Sequence, residues 1–337
     1  MKIKLTLGLS LFCALFIVSC AKDAEPAQDQ NTLESSDPTG LQKINALMKE
    51  NPDNPDLHYI RGEYFYEMEG FDEAIADFNR AIQLDSTQSR YWHGLSNVYM
   101  DYYRVREAMQ TMEMAAFLFP DSIFTQLKMA ETYLILNKHK EALNKVSAVK
   151  NKNPYNDEVH YMAGLIFADQ GGLDQAITNM QTCVEINSQH IEAWYELGNL
   201  WNAKGEGNDP IIYYNNALRV DSTYLDALYA KARTFYKQKK YGQCIETYNT
   251  MGRMYPSDES SFFNAGIVMK EVEAYEDALA KFNIAIELNP TFVQAYYYRG
   301  FCQLKIGNIP AGKEDLEQAL RFDPEYEDAK VLLSEIQ

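Results

Sequence analysis

The chain is short of positive charge. Of its 337 residues, 31 are Lys or Arg and 48 are Asp or Glu, which gives a formal net charge of −17. Residues 1–19 contain two lysines and no acidic residue, so without them 29 basic and 48 acidic residues remain, a net charge of −19. Because proteins bind nucleic acid largely through Lys and Arg at the phosphates, this deficit argues against nucleic acid as a partner.

The sequence also lacks the motifs of catalysis. It has no glycine-rich phosphate loop and no nucleophile elbow, and its five histidines include no His-x-x-x-His pair. Two of them, His58 and His160, share a register with Trp92 and Trp194 that we interpret as a packing column. We therefore predict that the protein is not an enzyme and has no cofactor, no metal site and no small-molecule substrate.

Cysteine is scarce, with five in the whole chain. Cys183, Cys244 and Cys302 lie far apart in the sequence and do not have the close spacing of zinc sites. Cys183 and Cys244 fall at positions where small residues recur, and a cysteine there packs much as an alanine does. We interpret all three as structural, buried residues.

Long apolar runs are absent except near the N-terminus. The run from Leu5 to Val18 follows Lys2 and Lys4, and it is short for a membrane span and typical of a secretory signal core. It ends in Ile-Val-Ser-Cys20, which resembles the lipobox of bacterial lipoproteins. That resemblance implies that residues 1–19 are a signal peptide and that acylated Cys20, carrying palmitate-type chains, anchors the mature protein in a membrane. An ordinary signal peptide with an incidental cysteine is the alternative.

Residues 20–40 continue from this cysteine as a polar stretch rich in Asp, Ser and Pro, which predicts a disordered tether. The residue after the cysteine is Ala21. It lacks the Asp that resembles an inner-membrane retention signal, which favours the outer membrane of a Gram-negative cell envelope. Whether the protein lies on the periplasmic or the surface face stays open.

What the chain has in abundance is a 34-residue period, repeated eight times without an insertion. Two columns hold small residues and a third holds large apolar ones. The first small column is Gly62, Ser96, Ala130, Gly164, Gly198, Ala232, Gly266 and Gly300. The second is Ala74, Ala108, Ala142, Ala176, Pro210, Cys244, Ala278 and Gly312. The large column is Phe78, Met112, Val146, Met180, Tyr214, Tyr248, Phe282 and Leu316. Such a period is typical of a solenoid whose repeats bury their apolar faces against one another.

Each period contains two stretches with apolar residues at helical spacing. The fifth, IEAWYELGNLWNAKGEGNDPIIYYNNALRVDS, resembles a tetratricopeptide repeat in its Trp-x-x-Leu-Gly opening and its Ala and Pro columns. The prediction is an all-α fold, a right-handed α-solenoid of eight 34-residue helix-turn-helix repeats over residues 55–326. Capping helices are predicted at 41–54 and 327–337. The resemblance implies an interaction scaffold and names no partner.

Local signals refine the boundaries of the helices. In repeat five, Asp209 is predicted to cap the second helix and Pro210 to begin it, so that this helix starts late. Pro310 lies near the same start in repeat eight and predicts a longer turn there as well. A column of serines and prolines closes each period, where proline ends one helix and serine is expected to cap the next. Its members are Ser86, Pro120, Pro154, Ser188, Ser222, Pro256, Pro290 and Pro324.

Three of these turns also resemble an O-glycosylation acceptor of some bacteria, in which Asp is followed by Ser or Thr and an apolar residue. They are Asp85-Ser86-Thr87, Asp121-Ser122-Ile123 and Asp221-Ser222-Thr223. The same residues suit the capping of the helix that follows. Capping is the preferred interpretation.

The first helices of the repeats are predicted to line an inner surface. One column on it is aromatic at six of its eight positions: Tyr59, His93, Leu127, Tyr161, Tyr195, Tyr229, Phe263 and Tyr297. The residues predicted to bind a partner are Tyr59, Tyr161, Tyr195, Asn199, Asn202, Tyr229, Arg233, Tyr236, Lys237, Phe263, Lys270 and Tyr297. Rings and amides together suit an extended or helical peptide. The alternative is that the rings only stiffen the packing of neighbouring first helices.

Charge on this surface is predicted to be acidic in the early repeats and basic in the later ones, which would orient a ligand of opposite pattern. The leading hypothesis is a lipid-anchored scaffold in a Gram-negative envelope that binds protein or peptide partners for envelope or secretion-complex assembly. The carboxylate clamp of chaperone-type members of the family needs Lys where this chain has Tyr or Phe, which argues against that ligand class. The alternative function is glycan capture at the cell surface, which in similar receptors uses loop insertions that the strict register does not admit.

Overall fold

The computed structural model describes residues 38–336. Over this range the chain forms eighteen α-helices and no β-strand, which confirms the predicted all-α class. None of these helices is both long enough and apolar enough to cross a membrane. The predicted signal peptide, Cys20 and the predicted tether up to residue 37 lie outside the described residues. The last three residues of that predicted tether, 38–40, belong to the first helix instead. The helices fall into two compact units, one that ends at Tyr103 and one that begins at Arg104.

The first unit contains four helices, each packed against the next. They are α1 (Pro38–Glu50), α2 (Pro55–Glu67), α3 (Phe71–Leu84) and α4 (Ser89–Asp101). Its core is formed by Phe78 of α3 with Leu95 and Val98 of α4.

The second unit contains fourteen helices, again packed in sequence order. The first seven are α5 (Val105–Leu118), α6 (Ile123–Ile135), α7 (His139–Lys152), α8 (Asp157–Asp169), α9 (Leu173–Ile186), α10 (Ile191–Lys204) and α11 (Pro210–Val220). The remaining seven are α12 (Leu225–Lys237), α13 (Tyr241–Met254), α14 (Glu259–Glu271), α15 (Tyr275–Leu288), α16 (Val293–Lys305), α17 (Ile309–Phe322) and α18 (Glu327–Ser334).

The small column of the first helices faces the large apolar column of the second helices. A Cβ added to Gly198 would overlap a ring carbon of Tyr214, and one added to Gly164 would lie 2.8 Å from the Met180 side chain. The two partners hold the same relative places in each repeat, so every period brings the same pair of columns together. Glycine is needed at Gly164 and Gly198 because the partner's thioether or ring already fills the space.

The second small column is also buried, except at Pro210, which is partly exposed. Ala142, Ala176 and Cys244 are each 0% exposed, at the start of α7, α9 and α13. Cys183 and Cys302 are also fully buried, and the three described cysteines form no disulfide. The prediction that these cysteines are buried is therefore confirmed.

Of the two proline signals, one predicted its helix correctly. The helix α11 begins at Pro210 and is shorter than its counterparts, and the Asp209 side chain accepts a hydrogen bond from the backbone N–H of Ile211. The prediction for Pro310 was wrong. The helix α17 begins at Ile309, in the same register as the second helices of other repeats, because proline is tolerated in a first helical turn.

The capping residues also differ from the prediction. The first helices begin at the third position after the Ser/Pro column, and their N-caps are residues such as Asn156 and Ser122, whose side chains accept backbone N–H groups of α8 and α6. Ser86 and Ser222 are not the N-caps of the helices that follow them. Within those turns the preceding Asp accepts the backbone N–H two residues on, at 2.8 Å in both Asp85 and Asp221.

A left-handed residue follows the first helix of every period, and the sequence patterns did not reveal this column. The positive φ angles recur at 34-residue spacing: Glu69 (57°), Tyr103 (58°), Asn137 (57°), Gly171 (79°), Gly205 (76°), Lys239 (56°), Glu273 (60°) and Gly307 (85°). Only three of these eight are glycine, although glycine adopts this conformation at no steric cost. The turn is therefore set by the repeat and not by the residue that occupies it.

Trp and His rings that share one register donate hydrogen bonds to the backbone. A ring N–H reaches the backbone carbonyl six residues earlier, in the turn that closes the previous period. The pairs are Trp92 Nε1 with Ser86 (3.1 Å), His160 Nε2 with Pro154 (3.0 Å) and Trp194 Nε1 with Ser188 (2.9 Å). Such rings combine apolar area with a donor. Leu228 and Phe262 occupy the same register without a donor, so packing is the role that its members share.

One ion pair occurs in both the first and the last repeat. Arg299 of α16 donates two hydrogen bonds to Asp315 of α17, at 2.9 and 2.5 Å, and a third to Asn283 of α15 at 2.8 Å. In the first unit, Arg61 makes the same bonds to Asp77 at 2.7 Å and to Asn45 of α1 at 3.1 Å. Thus α1 contacts α2 through the same Asn–Arg hydrogen bond by which α15 contacts α16.

Candidate functional site

The aromatic column of the second unit connects consecutive repeats. Each aromatic member contacts a residue that lies at or just before the start of the next first helix. The ring-centroid distances are 4.6 Å for Tyr161–His190, 5.6 Å for Tyr195–Tyr224, 4.6 Å for Phe263–Phe292 and 5.4 Å for Tyr297–Tyr326. At the remaining position, the Tyr229 hydroxyl donates to Asp258 at 2.6 Å.

The same rings also pack on the second helix of their own repeat. The centroid distances are 6.2 Å for Tyr195–Tyr214, 6.2 Å for Tyr229–Tyr248 and 5.8 Å for Phe263–Phe282. Tyr161 is only 8% exposed, and the others are half-buried. Burial raises the pKa of Tyr195 and of Tyr229 above the ordinary value. These contacts are the stiffening role that was one of the two interpretations of the column.

Tyr59 belongs to the first unit and is described there by itself. Its ring lies 5.7 Å from that of Phe78 and 5.4 Å from that of Tyr91, and the Arg90 guanidinium lies 5.4 Å from it. The neighbouring Glu63 has its pKa raised to about 7, first by burial and then by Glu67. Tyr59 is thus held in place by packing within its own unit.

The exposed part of the predicted site lies on the last two turns of α12. Arg233, Tyr236 and Lys237 are all exposed there, and the Tyr236 ring contacts that of Tyr241 at 5.8 Å. Neither Arg233 nor Lys237 forms a salt bridge with any residue in the range 38–336. These three side chains are therefore available to a ligand, and we call them the α12 patch.

Lys270 of α14 is only partly available. Its ammonium pairs with Glu271 at 2.8 Å and lies 5.4 Å from the Tyr298 ring. It also lies 5.7 Å from the ring of Phe301, which Lys305 approaches at 5.2 Å. A ligand at Lys270 would have to share it with these partners.

The two predicted amides of α10 differ in their engagement. The carbonyl of Asn199 accepts a hydrogen bond from the Tyr214 hydroxyl at 3.0 Å, and its NH₂ lies 3.4 Å from a carboxylate oxygen of Glu196. Asn202 lies nearly one turn further on and is half-buried. Asn199 is thus already part of the packing between α10 and α11.

Acidic side chains lie in the first half of α10 and α12. The pKa of Glu196 is raised to about 7, chiefly by burial; a hydrogen bond from Asn199 lowers it and the nearby charge of Asp226 raises it. Burial also raises the pKa of Asp226, the second residue of α12. In α12 the acid therefore lies at the start and Arg233 and Lys237 lie toward the end, which complements the helix dipole. Charge is thus divided along α12 itself.

One cluster that the sequence did not predict lies between α8, α9 and α10. Ligand atoms of Asp157, Cys183 and His190 all lie within 4.8 Å of one another. Burial lowers the pKa of His190, but the Cys183 sulfur and the carboxylates of Glu158 and Glu192 outweigh it and raise the pKa above its ordinary value. The Cys-x₆-His spacing is not a recognised metal motif, so sequence reasoning had no signal for this cluster.

The fold and this first-helix surface define a helical repeat protein of the interaction-scaffold class. Comparison with protein families agrees, since models of the tetratricopeptide repeat match residues 40–89 and 157–190. The chain therefore contains tetratricopeptide repeats, as its 34-residue period predicts. Repeats of this family bind protein or peptide partners.

Several curated relatives are similar over parts of their length. A DnaJ homolog subfamily C member 7 homolog of Schizosaccharomyces pombe is 23% identical over 79% of this chain and 56% of its own. The Hsp70-Hsp90 organizing protein of Triticum aestivum is 22% identical over 78% of this chain and 40% of its own. Human serine/threonine-protein phosphatase 5 is 27% identical over 33% of this chain and 22% of its own. The chain thus spans between about a fifth and just over half of these relatives.

Among solved structures, the C-terminal part of a TPR repeat-containing protein from Cytophaga hutchinsonii superimposes with a TM-score of 0.59 and 16% identity. It covers 72% of this chain and 98% of that one. A human IFIT1 dimer with PPP-AAAA superimposes with a TM-score of 0.53 and 16% identity, over 84% of this chain and 68% of that one. At these identities the likeness shows the fold alone, and it confirms the helical repeat solenoid.

Proposed function

We propose that the protein is a lipid-anchored scaffold of a Gram-negative cell envelope and that it binds a protein or peptide segment on the first-helix surface of its second unit. The observation that carries the binding site is the α12 patch, where Arg233, Tyr236 and Lys237 are exposed and the two cations have no anionic partner in the described structure. Aromatic and Arg side chains are the residues in which interface energy concentrates.

The charges of this surface specify the chemistry of the segment. A carboxylate of the partner pairs with Arg233 or Lys237 at the end of α12, and a basic side chain pairs with Asp226 at its start. Opposite charges at the two ends of short helices fix the direction in which an extended segment lies across them. The half-buried rings of Tyr195 and Tyr229 provide an apolar floor between the two ends.

The role of a scaffold without catalysis is the part of the proposal that rests on the repeats. Models of the tetratricopeptide repeat match two segments of the chain, and such repeats act as interaction modules. The proposed process is assembly of an envelope or secretion complex, which the predicted signal peptide and lipid anchor support.

Binding is tested by capture and then by titration. The full-length protein, cross-linked in its own membranes and purified in detergent, should retain a specific protein partner that mass spectrometry identifies. With that partner, Arg233→Ala and Lys237→Ala should each weaken binding about 10-fold, because each removes an exposed cation of the patch. Tyr195→Ala is a poorer probe because its ring also packs on Tyr214 and Tyr224.

The matched controls are Asn216→Ala and Glu246→Ala, which lie on the second helices α11 and α13. Glu246 is exposed and pairs with Arg253 at 3.2 Å, so its loss removes a surface charge without touching the first helices. Both controls should bind as the unaltered protein does. Equal affinity across all four variants would place the binding site elsewhere.

Anchoring is tested separately at Cys20. Cys20→Ala removes the thiol that acylation requires, so this variant should accumulate as an unprocessed or soluble protein and incorporate no labelled palmitate. Ser19 and the apolar run remain, so export by an ordinary signal would continue. A Cys20→Ala protein that has lost residues 1–19 and still remains fully with membranes after a carbonate wash would contradict the anchor and leave the binding test unaffected.

A further inference from the structure

Three side chains that can bind metal meet where repeats four and five join. Asp157 is the first residue of α8, Cys183 lies in α9, and His190 immediately precedes α10. One ligand atom of each lies within 4.8 Å of the other two. The three residues belong to three successive helices and their caps, so their convergence is produced by the packing of the repeats and not by local sequence.

The cluster is built into the interior. Cys183 is 0% exposed and His190 is 7% exposed. The His190 Nε2 atom is buried and has no hydrogen-bond partner among the described residues. A buried polar atom without a partner costs free energy, so a nitrogen placed beside a thiol and a carboxylate is a candidate metal ligand.

The surrounding groups are placed as outer contacts of a metal site. Asn187 donates to one carboxylate oxygen of Asp157 at 2.6 Å, which leaves the other oxygen for a metal. A carboxylate oxygen of Glu192 lies 3.2 Å from His190 Nδ1, which also accepts the backbone N–H of Ala193 at 3.3 Å. When Nε2 binds a metal, the ring proton lies on Nδ1. Nδ1 then no longer accepts the hydrogen bond from Ala193 and instead donates one to Glu192. Imidazole ligands of metals are commonly held in this way.

We propose that Asp157, Cys183 and His190 bind a Zn²⁺ ion, with the carboxylate of Glu158 as the fourth ligand. Thiolate, imidazole and carboxylate are the donors that Zn²⁺ selects, usually four in a tetrahedron. Glu158 follows Asp157 directly, and one of its carboxylate oxygens lies 3.6 Å from His190 Nε2. Metal–ligand bonds of about 2.0–2.3 Å place tetrahedral ligands roughly 3.5 Å apart, so the three side chains must close by about 1 Å.

The site has a structural consequence that is independent of the proposed partner binding. A metal held by α8, α9 and the residue before α10 ties together two consecutive repeats at their junction. Because the ion binds the folded protein, it stabilises that state and raises the melting temperature with its concentration. The chemistry is binding alone: the proton of the thiol passes to solvent as the metal–sulfur bond forms.

The experiment titrates Zn²⁺ into the full-length protein, purified in detergent under reducing conditions and first stripped with a chelator. The test variants keep the local structure and remove one ligand each. Cys183→Ala installs the residue that the same register holds at Ala217, and His190→Asn installs the cap that α8 has in Asn156. Both should lose affinity for Zn²⁺ by about 100-fold or more, because each lacks one ligand. Glu192→Gln should lose affinity by about 10-fold, because the loss of an outer contact of a metal site has an effect of this size.

Cys244→Ala is the matched control, since Cys244 is as fully buried as Cys183 and belongs to a small-residue column. It should bind Zn²⁺ as the unaltered protein does. Cobalt substitution gives a second measurement, because the thiolate charge-transfer absorption of Co²⁺ should vanish in Cys183→Ala and persist in Cys244→Ala. Zinc should raise the melting temperature of the unaltered protein and of Cys244→Ala but not of the two test variants.

Circular dichroism decides whether a variant is folded before its affinity is interpreted. If folded Cys183→Ala and His190→Asn bind Zn²⁺ as tightly as Cys244→Ala does, the ion lies elsewhere and the assignment is wrong. The assignment is equally wrong if the unaltered, stripped protein shows neither Zn²⁺ binding nor a zinc-dependent rise in melting temperature.

Discussion

On the surface that we propose for a ligand, Glu196 lies where the ionised form of its carboxyl group is unfavourable in the folded protein. Its carboxyl group is partly buried, and its pKa is raised from 4.5 to about 7 by burial and by Asp226 of α12. The folded protein therefore prefers the protonated acid, and ionisation of the side chain opposes folding. A carboxyl of this kind can instead be satisfied by a basic side chain of a partner.

We predict that Glu196→Gln stabilises the protein at high pH. The contribution of a raised carboxyl pKa is fully present below about 4.5 and is lost as pH rises through about 7. At about pH 8 the variant should therefore gain roughly 1–2 kcal/mol over the unaltered protein, while near pH 4 the two should be equal. Urea unfolding at several pH values measures the difference. A constant offset at all pH values would mean that Glu196 titrates normally.

The buried ion pair of Asp315 and Arg299, in contrast to Glu196, stabilises the folded protein when its carboxylate is ionised. Asp315 is 6% exposed and holds Arg299 through two hydrogen bonds, so its removal leaves a half-buried guanidinium without its anion. Asp315→Ala should cost about 3 kcal/mol in the free energy of unfolding. The control is Asp121→Ala, which breaks the exposed pair with Lys152 and should cost less than about 1 kcal/mol. Chemical denaturation of both variants tests the contrast, and similar losses would contradict it.

At the scale of the helices, five of the turns between the two helices of a repeat place a non-glycine residue in the left-handed conformation, and this backbone strain can be relieved by glycine. Lys239 has φ 56°, a conformation that costs a residue with a side chain roughly 1–2 kcal/mol. Lys239→Gly should therefore stabilise the protein by about 0.5–1 kcal/mol after the greater entropy of glycine in the unfolded chain is deducted. Thermal unfolding is the measurement.

The reverse substitution in the same turn register is the control. Gly307 has φ 85°, and a Cβ added there would meet no atom within 4 Å, so Gly307→Ala changes the backbone energy without a clash. It should destabilise by a similar amount. If both substitutions moved the melting temperature in the same direction, left-handed strain would not be the cause.

The crossing of the helices in a repeat gives a second test at this scale. Ala176 is 0% exposed near the start of α9, where the first and second helices of repeat four approach each other. Ala176→Leu should overpack this contact and cost about 1–3 kcal/mol. Thr178→Leu, two residues on and exposed, adds apolar bulk to the same helix and should be close to neutral. Equal melting temperatures for both variants would mean that the contact can expand freely.

The sequence predicted the helices because each repeat applies the same packing rule to the same register. Each first helix has a small residue that faces a large side chain at a fixed place in the second helix. This match allows only one packing of the two helices, as Gly198 against Tyr214 shows. The late start of α11 followed from Asp209 and Pro210. The left-handed column escaped prediction because residues such as Lys239 carry no local signal for it, and the fold imposes the conformation.

The candidate site was less predictable than the fold. Tyr195 and Tyr229 could be recognised as aromatic and on the first-helix surface, but their packing depends on rings of the following helix that are distant in the sequence. The side chains of the α12 patch lie on the same kind of first helix, and their position along it leaves them exposed. The cluster of Asp157, Cys183 and His190 required three helices to be placed together, which no spacing in the sequence indicated.

Over the whole molecule, the stability of stacked repeats is a sum of local terms and neighbour contacts, so damage at one end should stay there. The helix α18 covers the end of the last repeat: Ala329 is 0% exposed and packs with Leu316 and Ala319 of α17. We predict that Ala329→Glu detaches α18, since an unpaired charge is not tolerated in that contact.

The expected result is a local loss that hydrogen exchange can resolve. Amides of α17 should exchange about 10-fold faster in Ala329→Glu, while those of α8 to α10 keep their rates, because openings in such a protein are confined to neighbouring repeats. Val331→Glu is the matched control, placing the same charge in the same helix at a site that is 56% exposed, and it should leave both regions unchanged. Faster exchange throughout the second unit would show that its helices unfold as one cooperative block, and that the additive behaviour of stacked repeats does not apply to it.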